Sequence, residues 1–170
     1  MNLIKMTSNN KEERFENLVR PLKAKLYKTG MAILNNDDDV CDAIQEALIS
    51  AYNSLEQLKN EEYFTTWMTR IMINKCYDII KKNKKITFIN QKLEQNEEEF
   101  YYDHYKHESI IAKALESISE ELRLVTVLFY YDGFSIKEIS EICKIPEGTV
   151  KSRLFRAKEK IYVILKEGDE

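Results

Sequence analysis

Glycine and proline are scarce in this sequence, which has only four glycines and two prolines in 170 residues. Proteins built from strands need frequent turns, and these two residues supply much of the turn chemistry. Their scarcity therefore argues against a sheet-based fold. The composition is 44% hydrophobic and 32% charged, which is enough for a buried core beneath charged helix faces. We expect an all-α protein.

Cysteine and histidine are also sparse. Cys41, Cys76 and Cys143 lie far apart and form no CxxC pair, which excludes a disulfide scaffold and a structural zinc site. His104 and His107 are the only histidines, and no other Cys or His is spaced to complete a metal site with them. We interpret their spacing as a coincidence and expect neither a metal nor a cofactor.

Long hydrophobic runs are missing as well, and the N-terminus does not have the layout of a signal peptide. Together with the odd number of cysteines, this predicts a soluble cytoplasmic protein with reduced thiols.

The net charge is only −3, but the charges are segregated along the chain. Acidic residues dominate 37–62, whereas lysine and arginine dominate 64–92 and 144–166. Two separate basic blocks indicate two contacts with a polyanion, and the acidic block indicates a different partner. Solvated helix faces would explain any one of these blocks alone.

Apolar residues recur at helical spacing in two groups of segments. The first group covers 11–34, 40–55 and 63–82. The second covers 110–118, 120–131, 135–143 and 147–165. Between them, 86–107 loses periodicity and is acidic and rich in Gln, Glu and Asn. We predict two small helical domains, 1–88 and 109–170, joined by a flexible acidic linker at 89–108.

The strongest local pattern is a helix-turn-helix in the second group. Ser135 and Glu138 form a capping-box pattern that opens a short helix, and Pro146 marks a turn before a longer basic helix. We expect Ile139 and Val150 to lie in the core between the two helices.

The long basic helix has a face suited to the major groove of DNA. Opposite its apolar residues it presents Lys151, Ser152, Phe155 and Arg156, with Thr149 and Arg153 at the margin. Arginine and lysine can donate to guanine edges, and a phenylalanine can pack on a thymine methyl. The alternative is a basic amphipathic helix that binds another protein, but an exposed Phe155 among charges favours DNA.

Three segments together resemble the sigma-70 family of bacterial RNA polymerase sigma factors, in its extracytoplasmic-function (ECF) group. The first, 42–52, reads DAIQEALISAY and is similar to the second conserved region of the family, with its DxxQE core. The second, 64–74, reads FTTWMTRIMIN and is similar to the part that opens the promoter. The third, 146–158, reads PEGTVKSRLFRAK and is similar to the recognition helix.

The resemblance implies that the chain binds core RNA polymerase and has no catalytic residue of its own. The polymerase contacts would lie opposite the buried stripe of the second helix, at Asp42, Gln45, Glu46, Ile49 and Asn53. An outward isoleucine ringed by polar groups suits an anchor for a partner. A solvated acidic face with one stray apolar residue is the alternative.

The resemblance also implies two promoter contacts. The −10 element would be contacted from a loop and the third helix, through Lys59, Asn60, Tyr63, Thr66, Trp67, Arg70, Asn74, Tyr77 and Lys81. The −35 element would be contacted by Thr149, Lys151, Ser152, Arg153, Phe155 and Arg156. Donors, cations and rings in one stripe suit unstacked bases.

Two points at the −10 surface stay open. Trp67 lies at the boundary of two helix faces, so it either packs in the core or stacks on DNA. The loop contains Glu61 and Glu62 where the family often has an aromatic-Arg-Gly sequence, so its base preference is expected to be unusual.

The expected partners are therefore core RNA polymerase, promoter DNA and, by resemblance, a cognate anti-sigma factor of the often membrane-bound type. No small-molecule substrate is expected. A stand-alone helix-turn-helix regulator is the alternative, although no segment is reserved for a dimer interface or a ligand pocket. A hydrolase using the acids of 37–46 is disfavoured, because they have no His, Cys or Ser partner and no Gly-rich phosphate loop.

Overall fold

The computed structural model describes residues 3–90 and 110–167, with side chains over 11–84 and 111–166. Every element in these ranges is helical, which confirms the all-α class. The long elements of the N-terminal unit are α1 Leu3–Val19, α2 Lys23–Leu34, α3 Asp37–Ser54 and α4 Phe64–Asn90. Those of the C-terminal unit are α5 Ile110–Glu116, α6 Glu120–Thr126, α7 Ile136–Cys143 and α8 Glu147–Glu167. Within the described ranges, no helix is both long and apolar enough to cross a bilayer.

The first predicted helix, 11–34, is in fact two helices. A 3₁₀ turn at Arg20–Leu22 separates α1 from α2, and Pro21 lies in this turn. Proline lacks an amide hydrogen, and its ring clashes with the carbonyl four residues earlier, so it does not continue an α-helix. Val19 and Leu22 are buried on either side of the turn, which keeps both helices on the same core.

Helices α2, α3 and α4 pack closely around small residues. The buried stripe of α3 consists of Val40 and three alanines, Ala43, Ala47 and Ala51, all fully buried. Gly30 of α2 lies where a Cβ would come within 2.7 Å of Met72 Cε and 2.9 Å of Val40 Cγ1. A side chain at this point would force the three helices apart.

The break between α2 and α3 follows the predicted polar segment. Asn35 ends α2 in the left-handed conformation, with φ 50°. Asn36 then caps α3 by accepting a hydrogen bond from the amide of Asp39 at 2.9 Å. The acids of the first turn of α3 lie near the positive end of its dipole, which favours this start.

The C-terminal unit forms the predicted helix-turn-helix. The Ser135–Glu138 capping box is present in both directions, with Glu138 N donating to Ser135 Oγ at 3.2 Å and Ser135 N donating to Glu138 Oε2 at 2.8 Å. The helix predicted over 120–131 is α-helical to Thr126 and continues as a π turn, Val127–Tyr131. Gly133, with φ 78°, follows this turn.

The two units share one core, which the sequence did not predict. Helix α2 contacts α6 and the π turn, and helix α4 contacts α7. A single buried cluster runs from Ile73 and Cys76 on α4 to Val125, Leu128 and Ile139 in the C-terminal unit. The predicted linker, 89–108, lies outside the described residues except for its first two positions, which belong to α4.

Candidate polymerase and nucleic-acid interfaces

The outward side of α3 carries the five residues predicted to bind polymerase, and all five are exposed. We call this set, Asp42, Gln45, Glu46, Ile49 and Asn53, the α3 face. Ile49 at its centre is 62% exposed. Glu46 forms an ion pair with Lys75 of α4, with Nζ to Oε2 at 3.6 Å. Burying an aliphatic side chain such as Ile49 in an interface contributes about 1.5–3 kcal/mol.

The loop before α4 is ordered by its own polar groups. It contains two 3₁₀ turns, Leu55–Gln57 and Glu61–Tyr63. Asn60 accepts a hydrogen bond from the amide of Glu62 at 3.0 Å and donates its own amide to the Glu62 carboxylate at 2.9 Å. The side chain of Asn60 is therefore used inside the loop, and Lys59 beside it is exposed.

Both acids of this loop have partners within the chain. Arg14 of α1 donates its Nε to Glu61 Oε1 at 2.5 Å, and Asn60 holds Glu62. The predicted conflict between these acids and DNA is thus reduced, because part of their charge is compensated locally. Sequence reasoning missed Arg14, since the two residues of this pair lie 47 positions apart.

The predicted −10 residues of α4 follow one side of the helix, and most of them are open to solvent. Tyr63, Arg70, Asn74 and Lys81 are exposed, whereas Thr66 and Tyr77 are half-buried. Together with Lys59, Asn60 and Trp67, they form a set that we call the −10 stripe. Trp67 is half-buried on the hydrophobic core, with its ring 5.8 Å from that of Phe64. This placement favours core packing over stacking for Trp67.

Tyr77 differs from its neighbours because the C-terminal unit reaches it. Glu120, the first residue of α6, lines the same cleft as Asn74, Tyr77 and Lys81. Burial, together with the nearby Glu120 carboxylate, raises the pKa of Tyr77 well above its ordinary value. The cleft therefore combines two lysines, Lys81 and Lys84, an amide, a phenol and two carboxylates, of which Asp78 belongs to α4 and pairs with Lys81 at 4.0 Å and Glu120 comes from the other unit.

A short turn fixes the angle between α7 and α8. Lys144 adopts the left-handed conformation with φ 54°, and Ser140 Oγ donates a hydrogen bond to the carbonyl of Ile145 at 2.6 Å. Ile139 and Val150 are fully buried between the helices, as predicted. The role of Ser140 in closing this turn was not predicted from the sequence.

The outer face of α8 presents the predicted −35 residues. Lys151, Ser152, Phe155 and Arg156 are exposed side by side, and Phe155 is 63% exposed. Thr149 and Arg153 are half-buried at the margin of this surface. We call these six residues the −35 face.

Arg153 has a partner within the C-terminal unit. Its Nη2 lies 2.7 Å from Glu121 Oε2 on α6, and its side chain is only 22% exposed. The pair fixes α8 against α6 and leaves fewer donors of Arg153 for DNA.

Known families match both units. Residues 18–86 match Sigma-70 region 2, and residues 108–161 match Sigma-70, region 4. The chain is 33% identical to the ECF RNA polymerase sigma-E factor of Escherichia coli strain K12 over 138 residues, which cover 72% of each protein. It is 29% identical to the ECF RNA polymerase sigma factor SigW of Bacillus subtilis strain 168 over 170 residues, covering 92% of this chain and 91% of SigW.

Two solved structures have the same fold. The sigma factor RpoE from Bartonella quintana, in complex with the anti-sigma factor NepR, has a TM-score of 0.75 and 21% identity, covering 91% of this chain and 98% of RpoE. CnrH, in complex with the cytosolic domain of CnrY, has a TM-score of 0.65 and 20% identity, covering 92% of this chain and 90% of CnrH.

Proposed function

The chain belongs to the ECF group of the sigma-70 family, whose members direct RNA polymerase to promoters, and we propose that three of its surfaces divide this work. The α3 face binds core polymerase, the −10 stripe contacts the opened promoter, and the −35 face reads duplex DNA. The polymerase performs the synthesis, and this chain contributes the choice of start site and strand separation.

The proposal for polymerase binding rests on the exposure of Ile49 among polar side chains. A buried aliphatic anchor with a polar rim is the usual arrangement of an energetically important contact. The buried alanine stripe on the other side of α3 holds the helix rigidly, so little conformational entropy is lost when the face is covered.

The proposal for the −35 element rests on four adjacent exposed side chains of α8. Arg156 and Lys151 suit guanine edges or phosphates, Ser152 can donate or accept, and Phe155 offers an apolar surface for a thymine methyl. Ser152 Oγ donates to the Thr149 carbonyl at 3.0 Å, which leaves its oxygen able to accept.

The proposal for the −10 element rests on Arg70, Asn74 and Lys81, which are exposed on one side of α4. They offer positive charge to the backbone and an amide to a base edge, while Tyr63, 64% exposed, offers a ring for stacking. Since one polymerase holds both DNA surfaces, each weak contact gains from the effective concentration set by the other.

The observation that carries the proposal is that the α3 face and the −35 face are open at the same time on separate helices. The test is run-off transcription with core polymerase on a genomic promoter library, together with a polymerase pull-down. We expect Ile49→Asp to abolish association with the polymerase. The matched control is Ile111→Asp, which changes an isoleucine of similar exposure (57%) on α5 and should still associate.

The rival function, a stand-alone regulator, predicts a different outcome. Such a chain would protect a palindromic site by itself and would not alter start-site choice when core polymerase is added. Failure of the parent chain to bind core polymerase would overturn the proposed function.

We also propose that a cognate anti-sigma factor regulates the chain, because RpoE of Bartonella quintana, which has the same fold, was solved in complex with the anti-sigma factor NepR. A groove of about 1000 Å³ between α2, α5, the π turn and α8 exposes Ile111, Tyr130 and Tyr162 and would accept an apolar helix. Tyr130→Asp is expected to remain active in transcription but to escape the anti-sigma factor that inhibits the parent. Equal inhibition of both would remove this groove from consideration.

A further inference from the structure

The C-terminal unit covers one end of the −10 stripe. Glu120 lies in the cleft formed with Asn74, Tyr77 and Lys81, so α6 begins beside residues proposed to contact promoter DNA. Tyr77 is half-buried there, whereas Asn74 and Lys81 remain exposed at the edge of the cleft. The N-terminal half of the stripe, with Tyr63 and Arg70, is not covered in this way.

A carboxylate in this cleft competes with DNA for the same groups. Promoter strands bring phosphates, and two negative charges at contact distance repel each other. Glu120 interacts with the hydroxyl of Tyr77 within the cleft that it shares with Asn74 and Lys81. The Glu120 carboxylate therefore disfavours DNA at this end of the stripe as long as α6 lies beside it.

A second set of contacts holds α6 and the π turn on α2. Arg123 donates its Nε to the carbonyl of Ala32 at 2.8 Å, an acceptor in the last turn of α2 that has no partner within the helix. Lys25 donates its Nζ to the carbonyl of Asp132 at 2.6 Å, and Thr29 donates its hydroxyl to Asp132 Oδ2 at 3.1 Å. These polar contacts join the two units in addition to the apolar core that they share. We call them the α2 latch.

We propose that the free chain adopts a closed, self-inhibited state in which Glu120 masks the C-terminal end of the −10 stripe and the α2 latch keeps it there. The inference rests on the proposed function of the −10 stripe. The α3 face and the exposed residues of the −35 face are not covered in this state. The closed chain is thus competent to bind polymerase but binds the opened −10 strand less tightly than an open chain would.

The difference between the two DNA surfaces gives a direct test. The full-length chain is titrated with two probes, a random-sequence single strand of about 12 nucleotides and a random-sequence duplex. Glu120→Gln should bind the single strand about fivefold more tightly than the parent, the factor expected when one unit of repulsion at contact distance in water is removed. Binding to the duplex should not change.

The matched control is Glu141→Gln, which removes the same charge from an exposed site on α7. It should bind both probes like the parent. If Glu120→Gln and Glu141→Gln bind the single strand equally, or if Glu120→Gln tightens duplex binding by the same factor, the closed state does not mask the stripe.

A second variant tests the latch without touching the stripe. Lys25→Ala removes the bond to the Asp132 carbonyl, and it should increase the radius of gyration in small-angle scattering and tighten single-strand binding together. An unchanged radius and unchanged affinity would overturn the role of the latch. Run-off transcription distinguishes a failure of the proposed closed state from a failure of the proposed function. If the parent transcribes but Glu120→Gln leaves single-strand binding unaltered, only the closed state is wrong; if the parent does not transcribe, the proposed function itself is wrong.

Discussion

The two surfaces proposed to contact DNA differ in how much of each is exposed. The −35 face of α8 is open over four adjacent side chains, and its one engaged arginine is held by Glu121 of the same unit. The −10 stripe of α4 is open at Arg70 but is closed around Tyr77 by Glu120 of the other unit. If these assignments hold, access to duplex DNA depends on one unit, whereas access to opened DNA depends on how the two units are arranged.

The comparison holds only if the shared core joins the two units into one cooperative structure. Ile139 of α7 is fully buried in the cluster that includes α4 residues. We expect Ile139→Ala to lower the free energy of unfolding by about 2–5 kcal/mol, because it removes methyl groups and leaves a cavity. The chain has a single tryptophan, Trp67, in the N-terminal unit, so its fluorescence reports on that unit alone during urea unfolding.

If the units are coupled, the Trp67 transition shifts to lower urea even though the substitution is in the C-terminal unit. The control is Phe155→Ala, which truncates an exposed ring on the same helix-turn-helix and should leave the midpoint unchanged. A Trp67 transition that ignores Ile139→Ala would mean that the units unfold independently and that the closed arrangement has little stability.

The next largest effect is expected from pH at the α2 latch. Asp132 is 6% exposed, and its Oδ1 lacks a hydrogen-bond partner among the described residues. Burial raises its pKa to about 6 from an ordinary value of 3.8, against the opposing effects of the Thr29 hydroxyl and of Lys25 and Lys28. The closed state therefore binds the proton more tightly than the open or unfolded chain does.

The sign of the pH dependence comes from this difference in proton affinity. The stabilisation of the closed state by protonated Asp132 is fully present below pH 3.8 and is lost as pH rises through about 6. Mild acid therefore favours closure by up to about 3 kcal/mol. Asp132→Asn should be more stable than the parent at pH 7.5 and should lose most of the dependence between pH 4 and 6.5. Unfolding midpoints of Asp132→Asn and the parent, measured across this pH range, check the prediction. Parallel pH profiles for the two proteins would contradict it.

A smaller effect is expected at the −35 face. Arg156→Ala removes an exposed donor of α8, and it should weaken duplex binding in the holoenzyme by about 1–3 kcal/mol and relax base preference at one −35 position. Stability should not change, since the side chain is exposed. Transcription from promoters that differ only in the −35 element provides the measurement.

Asn74→Ala is the counterpart on the other surface. It should slow opening of the −10 region, measured by permanganate reactivity of unpaired thymines, while leaving the −35 preference intact. Two variants with the same defect would show that the division of labour between α4 and α8 is wrong.

The faces of α3, α4 and α8 were predictable because helical periodicity alone decides which residues point outward. Ile49, Asn74 and Phe155 are exposed for that reason, and the Ser135–Glu138 capping box was predictable because it is a local pattern. The break at Pro21 was also signalled locally, but the apolar spacing across it concealed the missing amide hydrogen.

The contacts between the two units correspond to no periodicity or local motif in the sequence. Thr29 and Asp132 are 103 residues apart, and Arg123 and Ala32 are 91 apart. Neither Asp132 nor Arg123 belongs to a local sequence motif that identifies its partner. Their partners depend on how α6 is placed on α2, which packing of the whole core determines and no short segment specifies.

The smallest effect is expected where the open half of the −10 stripe meets the loop. Arg14 pairs with Glu61 at 2.5 Å, and both side chains are close to half-exposed. The pair itself is worth only about 0.2–1 kcal/mol, so Arg14→Ala should barely change the unfolding midpoint. The substitution nevertheless leaves the Glu61 carboxylate uncompensated beside the proposed DNA path, which should weaken single-strand binding most at low salt, where the repulsion is least screened. Arg20→Ala, which breaks the exposed pair with Glu16 away from the loop, is the matched control. Equal loss of binding in both variants would show that Arg14 acts only through the net charge of the chain, and not through its pairing with Glu61.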